Sequence, residues 1–579
     1  MTRARIATVL AALALAGCES RPVATDANDA SDAVLADVTN ATDATADTGP
    51  IDSGIVDTTY TPPPASAVIE PGVRREVFTI AGTVAPENPT SHTATPAERN
   101  RIQVVRYRQD AATPVPVQAV VVAMPGFLGG AGSFDPLARA LVKRGATSGH
   151  AIEVWSIDRR ANLLEDLRGM DAAEVLHDPE VAAGYYVRRD TTLNGQRFEG
   201  FLDARDTTLA YMSEWGLPVT LADLDAVVSL VPNSRDHVVL MGHSLGASIV
   251  EGYAAWDFAG TAGYQRIAGL VLIDGVLSGT ALTETEYQMG ATGGGIPSPG
   301  ITTIRSTGPY YFALPLIGVR ATALSEIGAR RALKAPDAVV PDPYRDNLFR
   351  TLLGIPAVPP MTNAAAFGFA LDNGSCPLAF AQMSLGAPTG GALRQQANPF
   401  GMGGPITVPG SATATYQWTD ALAVSPPEFT SVTNGANAWA ATPTNFSEWY
   451  FPTRLSVDVA ALPTNLQTPA ASYQAIEGFR ALHGGEIDVP VLGVSTALTG
   501  SASAFDPERG VITATVGTGR PNAGATRMED AGFRAMFVPG MTHIDPLTAV
   551  DDGTRNPVPG AVQQFAETNT SNTISIGVM

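Results

Sequence analysis

The chain has 579 residues and sets 36 Lys and Arg against 56 Asp and Glu, a formal net charge of −20. No basic cluster interrupts that acidity, which argues against a nucleic-acid partner, and two cysteines, Cys18 and Cys376, give no disulfide framework. The length exceeds what a single α/β core needs, so a core carrying a large insertion is expected.

At the N-terminus, Arg3 and Arg5 precede the apolar run from Ile6 to Ala14 and then Leu15-Ala16-Gly17-Cys18. A charged head, a short apolar stretch and small residues describe an export signal, and the run is too short to span a bilayer. Leu-Ala-Gly-Cys resembles the lipobox of bacterial lipoproteins. That resemblance implies removal of residues 1–17, lipidation of Cys18 and attachment to the cell-envelope membrane. Glu19, where aspartate would favour the inner membrane, points to the outer membrane, with the protein on its periplasmic or surface side. Residues 18–64 hold nine carboxylates (Glu19, Asp26, Asp29, Asp32, Asp37, Asp43, Asp47, Asp52 and Asp57) against Arg21, a net −8 with no periodicity. Such a segment buries too little apolar surface to offset its ordering entropy and is expected to be a disordered tether. Its reach is about 35 Å for a flexible chain of roughly 40 residues.

Beyond residue 65 the elements follow in order. Arg75–Ile80 and Arg101–Tyr107 alternate, as half-buried antiparallel strands do. Ala119–Met124, Ile152–Ile157, His237–Met241, Ile267–Ile273, Val489–Ser495 and Phe533–Val538 are the more continuous apolar runs of strands buried on both faces. Phe134–Arg144 is expected to be a helix, and residues 161–233 to be mostly helical. The alternation predicts an α/β fold with a mostly parallel, doubly wound sheet. Residues 278–485, between the strand ending near Ile273 and the strand starting near Val489, are too many for a loop. They are expected to form a cap over the core made by 65–277 and 486–579.

Gly242-His243-Ser244-Leu245-Gly246 joins a buried strand to a helix-like stretch. A strand that turns sharply into a helix exposes the central hydroxyl and aims the helix N-terminus at developing negative charge. Ser244 is therefore the candidate nucleophile, and it needs a base. Of seven histidines, His543 is favoured, because Pro539-Gly540-Met541-Thr542-His543 forms a turn directly after the last buried strand. His243 is expected to diverge from the hydroxyl and pack on the sheet, and His483 to lie on the surface or cap. Two carboxylates compete for the acid: Asp274, at the end of the strand Leu270–Ile273, and Asp506, some ten residues beyond Ser495. Asp545 is expected to brace the His543 loop. The oxyanion donors are the backbone N–H groups of Leu245 and of Phe127, in the loop Pro125-Gly126-Phe127-Leu128-Gly129-Gly130. No histidine spacing suggests a metal site and no phosphate-binding loop is present, so neither metal nor cofactor is expected.

Pro-Gly-Phe-Leu-Gly-Gly, then Gly-His-Ser-Leu-Gly, then a late histidine resembles the α/β-hydrolase family of serine hydrolases over about 70–280 and 486–560. The resemblance implies an esterase- or lipase-like enzyme that cleaves a small-molecule or lipid ester through an acyl-enzyme. It departs from the family in having no carboxylate just after Ser495, which leaves the acid open. An acyltransferase or amidase using the same serine, and a non-catalytic envelope-binding lipoprotein, are the competing readings.

Overall fold

A computed structural model describes residues 55–113, 115–277, 279–291, 298–312, 318–340, 358–399, 404–441 and 443–577. The expected signal segment, Cys18 and most of the expected tether lie outside them.

The sheet follows from the buried runs. Nine strands, β1 (Ser66–Glu70), β2 (Val73–Ala81), β3 (Arg101–Gln109), β4 (Ala119–Met124), β5 (Ile152–Asp158), β6 (Val238–His243), β7 (Gly269–Ile273), β8 (Val491–Ser495) and β9 (Arg534–Phe537), lie in the order β1-β2-β3-β5-β4-β6-β7-β8-β9. The pairs β1–β2, β2–β3 and β3–β5 are antiparallel and the remaining pairs are parallel. Side chains alternate between two apolar layers: Val120, Val122, Leu240 and Leu272 enter one, and Val121, Val239, Met241 and Ile273 the other. Each such buried aliphatic residue contributes about 1.5–3 kcal/mol, which is why these runs are apolar throughout. Helices α1 (Asp135–Ser148) and α4 (Val558–Asn569) cover the second layer, while α2 (Leu217–Val228) and α3 (Leu245–Ala255) cover the first. This is the α/β-hydrolase fold. Register brings Met124 beside Gly242, and His243 beside Ile273, which itself pairs with Val494, so the loops after β4, β6, β7 and β8 meet at one edge. Ligands bind at that edge in open α/β sheets.

Two expectations need revision and a third is refined. Val56–Thr58, assigned to the tether, pairs in parallel with Thr191–Leu193, and Asp57 accepts from Thr192 Oγ1 (2.7 Å) and the Gly195 N–H (2.8 Å). Strand β1 has no counterpart in the sequence reading, because its five residues are mostly half-exposed and lack an apolar run. Residues 161–233 are mostly helical, but in short pieces (Arg160–Leu164, Arg168–Val175, Pro179–Ala183, Gly184–Arg188, Thr207–Glu214) broken by a strand and a turn at Asn194-Gly195, and α2 is their longest helix. Their aromatics explain the irregularity: Tyr185, Tyr186, Phe198 and Trp215 pack with Tyr310, Tyr311 and Trp449 of the insertion, and that packing overrides helical propensity.

The insertion carries helices Arg320–Lys334, Asn363–Leu371 and Val432–Trp439 and two short antiparallel pairs, Gly386–Thr389 with Gln417–Asp420 and Leu393–Gln396 with Ile406–Pro409. It has its own apolar cluster, with Phe367, Phe369, Tyr416 and Trp439 at its centre. Among the described residues no helix is long and apolar enough to cross a membrane.

Candidate active site

Ser244 sits between β6 and α3 with φ 56° and ψ −125°, a strained conformation for a residue with a side chain. The turn closes only because its neighbours lack Cβ atoms. A Cβ at Gly242 would come within 2.2 Å of the Gly246 carbonyl oxygen, and one at Gly246 within 2.2 Å of that of Met124. Gly126 and Gly275 press on Ser244 in the same way, so the loops after β4 and β7 touch the serine backbone or its Cβ.

His543 and Asp274 come together. Nδ1 of His543 lies 2.7 Å from Oδ2 of Asp274, with both side chains buried. The other carboxylate oxygen accepts from the Thr496 N–H (2.8 Å), the Thr499 N–H (3.2 Å) and Thr499 Oγ1 (2.6 Å). Burial alone would raise the Asp274 pKa. The bond to His543, the charge attraction to it and the threonine donors outweigh burial and lower it to about 2. A carboxylate only accepts, so Nδ1 carries the proton and Nε2 is left as a base. Asp506 is elsewhere: its carboxylate is 60% exposed and pairs with Arg509 at 3.0 Å. The loop after β8, which lacks a carboxylate of its own, instead supplies the donors that hold the carboxylate of β7.

His243 differs from expectation. Its Nε2 donates to the His543 carbonyl at 2.9 Å, and the two rings lie 4.5 Å apart. Burial and the neighbouring His543 lower its pKa to about 3, so it remains a neutral brace. Asp545, fully buried, ties the His543 loop to the insertion. It accepts from Thr542 N (2.7 Å) and Oγ1 (2.8 Å), Ser384 N (2.9 Å) and Oγ (2.6 Å), and Thr430 Oγ1 (2.6 Å).

The loop after β4 carries Phe127, whose ring packs edge-on against Phe312, Phe380 and Phe451. Among the described residues the backbone N–H groups of Phe127 and Leu245 have no hydrogen-bond acceptor. A cavity open to solvent at its mouth borders Ser244, His543, Phe127 and Gly126 on the core side. Leu371, Cys376, Phe380, Trp439 and Phe446 wall it from the insertion, and no Asp, Glu, Lys or Arg is among its described lining residues. Burial pushes the Cys376 thiol up to about 12, which keeps it protonated and a poor nucleophile. Among the described residues no three His, Cys, Asp or Glu side chains are grouped to hold a metal.

Sequence reasoning did not single out Arg159, Glu448, Thr496 or Thr499, whose roles depend on partners distant in the chain. No protein-family model and no curated protein matches this chain. Among solved structures it is similar to the peroxisomal α/β-hydrolase Lpx1 of Saccharomyces cerevisiae, at 10% identity and a TM-score of 0.38 over 88% of this chain and 93% of that one. It is also similar to epoxide hydrolase A of Mycobacterium thermoresistibile (13%, 0.32, covering 86% and 99%) and to an α/β-hydrolase fold protein of Nakamurella multipartita (12%, 0.32, covering 85% and 99%). These are distant likenesses that say nothing about substrate.

Proposed function

We propose that the chain is a serine hydrolase that cleaves carboxylic esters with an uncharged, apolar acyl group. The observation that carries this reading is the buried Asp274–His543 pair, whose His543 borders the same cavity as a serine held in a strained turn. His543 Nε2 takes the Ser244 proton as Oγ attacks the ester carbonyl. The oxyanion receives the N–H groups of Leu245 and Phe127, and His543 then protonates the leaving alcohol. Water activated by His543 releases the acid. The cavity walls support an apolar acyl group, because among the described residues that line it none is charged to pair with a charged one.

A fluorophosphonate probe tests the chemistry. The folded protein gains one covalent adduct that Ser244→Ala abolishes; a folded protein that stays unlabelled overturns the proposal and leaves the binding-module reading. p-Nitrophenyl esters test the acyl group: an ω-carboxylate acyl ester should turn over at least about 100-fold more slowly than its apolar counterpart. Product analysis with added alcohol or amine acceptors separates hydrolysis from transfer, and amide substrates test amidase activity.

The localisation proposal rests on the sequence alone: Cys18 carries lipid, and the acidic segment after it tethers the domain to the cell envelope. Metabolic labelling with an alkyne fatty acid should mark the protein and be lost in Cys18→Ser.

A further inference from the structure

Arg159 directly follows β5, is 4% exposed and does not border the cavity. Its guanidinium is directed instead at the loop that carries Phe127. Nη1 donates to the Pro125 carbonyl at 2.8 Å, and Nη2 donates to the Gly126 carbonyl at 3.0 Å and the Gly129 carbonyl at 2.9 Å. Nε and Nη2 both donate to Glu448 Oε2, at 2.8 and 2.5 Å, so Nη2 is shared between the carboxylate and two carbonyls, and the Phe451 ring centre lies 5.1 Å from Cζ. Glu448 is fixed in turn, since its own N–H donates to the Leu128 carbonyl at 2.8 Å.

The Gly126 carbonyl and the Phe127 N–H are the two ends of one peptide unit. A cation bonded to the oxygen draws electron density toward it and leaves the N–H more positive, so a donor in such a chain is stronger than an isolated one. Glu448 balances the charge of the pair but does not remove the direct bonds, which act locally on each carbonyl. A loop held only for its shape would need donors and no charge. Here a buried cation meets three carbonyls within five residues, and one of them backs the candidate oxyanion donor.

We infer that Arg159 is a positioning residue that polarises the Gly126–Phe127 peptide, strengthening its N–H toward the oxyanion. The inference rests on the reading of Ser244 as nucleophile. It has a separate signature: if that reading fails, the wild-type protein takes no fluorophosphonate label, whereas if this inference fails, labelling is intact.

The test compares Arg159→Lys with wild type in the full chain, checking first that thermal unfolding shows a folded variant. Lysine keeps the charge and cannot reach three carbonyls from one planar group. The expected result is a kcat lower by about 10- to 100-fold with KM within about 2-fold, since only oxyanion stabilisation weakens. Affinity for a trifluoromethyl ketone, which forms an oxyanion on the serine, should fall in parallel. The infrared carbonyl stretch of a slowly hydrolysed acyl-enzyme should move to higher wavenumber. A folded variant with unchanged stretch and unchanged inhibitor affinity overturns the inference, whatever its kcat. If Arg159→Lys does not fold, Glu448→Gln decides, because it retains the three carbonyl bonds. A stretch below the wild-type wavenumber supports the inference, because the cation then acts without its counter-charge, and one unchanged or shifted upward overturns it.

Discussion

The sheet and the insertion divide the work unequally. Ser244, His543, Asp274 and both candidate oxyanion donors stand on loops at one edge of the sheet, those of Ser244, Asp274 and Phe127 following fully buried strands and that of His543 following the half-exposed edge strand β9. The insertion supplies none of these groups, yet it holds the loops that carry them. Ser384 and Thr430 grip the base loop through Asp545, Glu448 anchors Arg159, and Phe312, Phe380 and Phe451 enclose Phe127. A segment that formed only a lid could open without disturbing the chemistry. This one is built into the apparatus, and removing its contacts should cost turnover as well as substrate selection.

The largest contrast lies within the core, between the two candidate carboxylates. Asp274→Asn should lower kcat by about 10³- to 10⁴-fold, because an amide no longer stabilises the imidazolium and permits the wrong tautomer. Asp506→Asn should leave kcat within about 2-fold, since an exposed carboxylate paired with Arg509 contributes little at any distance from the site. Steady-state kinetics on one apolar p-nitrophenyl ester decides this, and equal losses in both variants would refute the assignment of Asp274.

The next effect crosses from core to insertion. The double variant Ser384→Ala with Thr430→Val removes two hydroxyl donors to Asp545, and neither residue lines the cavity. A loosened base loop should lower kcat by roughly 10-fold, and the lost bonds to a charged group should cost about 1.5–3 kcal/mol each. Urea unfolding measures the second quantity. If stability falls while kcat holds, the insertion is a clamp on the fold alone and the contrast drawn above narrows.

The same division explains what could be read from the sequence. Strands β4 to β8 were legible because both faces are buried, so that every position in β4, β6 and β7 is apolar or small apart from the terminal His243. The strained turn was legible because close backbone approach demands Gly242 and Gly246. The choice of acid was not. It turns on Thr496 and Thr499 donating to a carboxylate more than 200 positions earlier, which no local pattern records. The Arg159–Glu448 pair spans 289 positions and the His243–His543 bond 300, so neither leaves a mark in sequence periodicity. Within the insertion, apart from the helix Arg320–Lys334, the buried surface is assembled from short pieces, and there the alternation that identifies long strands and helices has no length over which to appear.

The smallest predicted effect sharpens the comparison through one buried carboxyl from each region, Asp274 and Glu326, which shift in opposite directions. Asp274 has enough donors to be lowered to about 2 from an ordinary 3.8, so the stability it contributes is present above pH 3.8 and is lost as pH falls toward 2. Glu326, on the insertion helix Arg320–Lys334, is raised from 4.5 to about 8 by burial, which outweighs its bonds to Trp449, Asn445 and Ser447 and its attraction to Arg330. The folded protein thus holds a proton that the unfolded chain has released. The corresponding stability is complete below pH 4.5 and declines as pH rises toward 8. Glu326→Gln stays neutral throughout and should remove that decline. Between pH 5 and 8.5 the wild-type Tm should fall by about 1–3 °C more than that of the variant, given the shallow dependence of Tm on ΔG in a large domain. Identical slopes in a calorimetric pH series would show that Glu326 is ionised in the folded protein and that the insertion holds a charge at its centre.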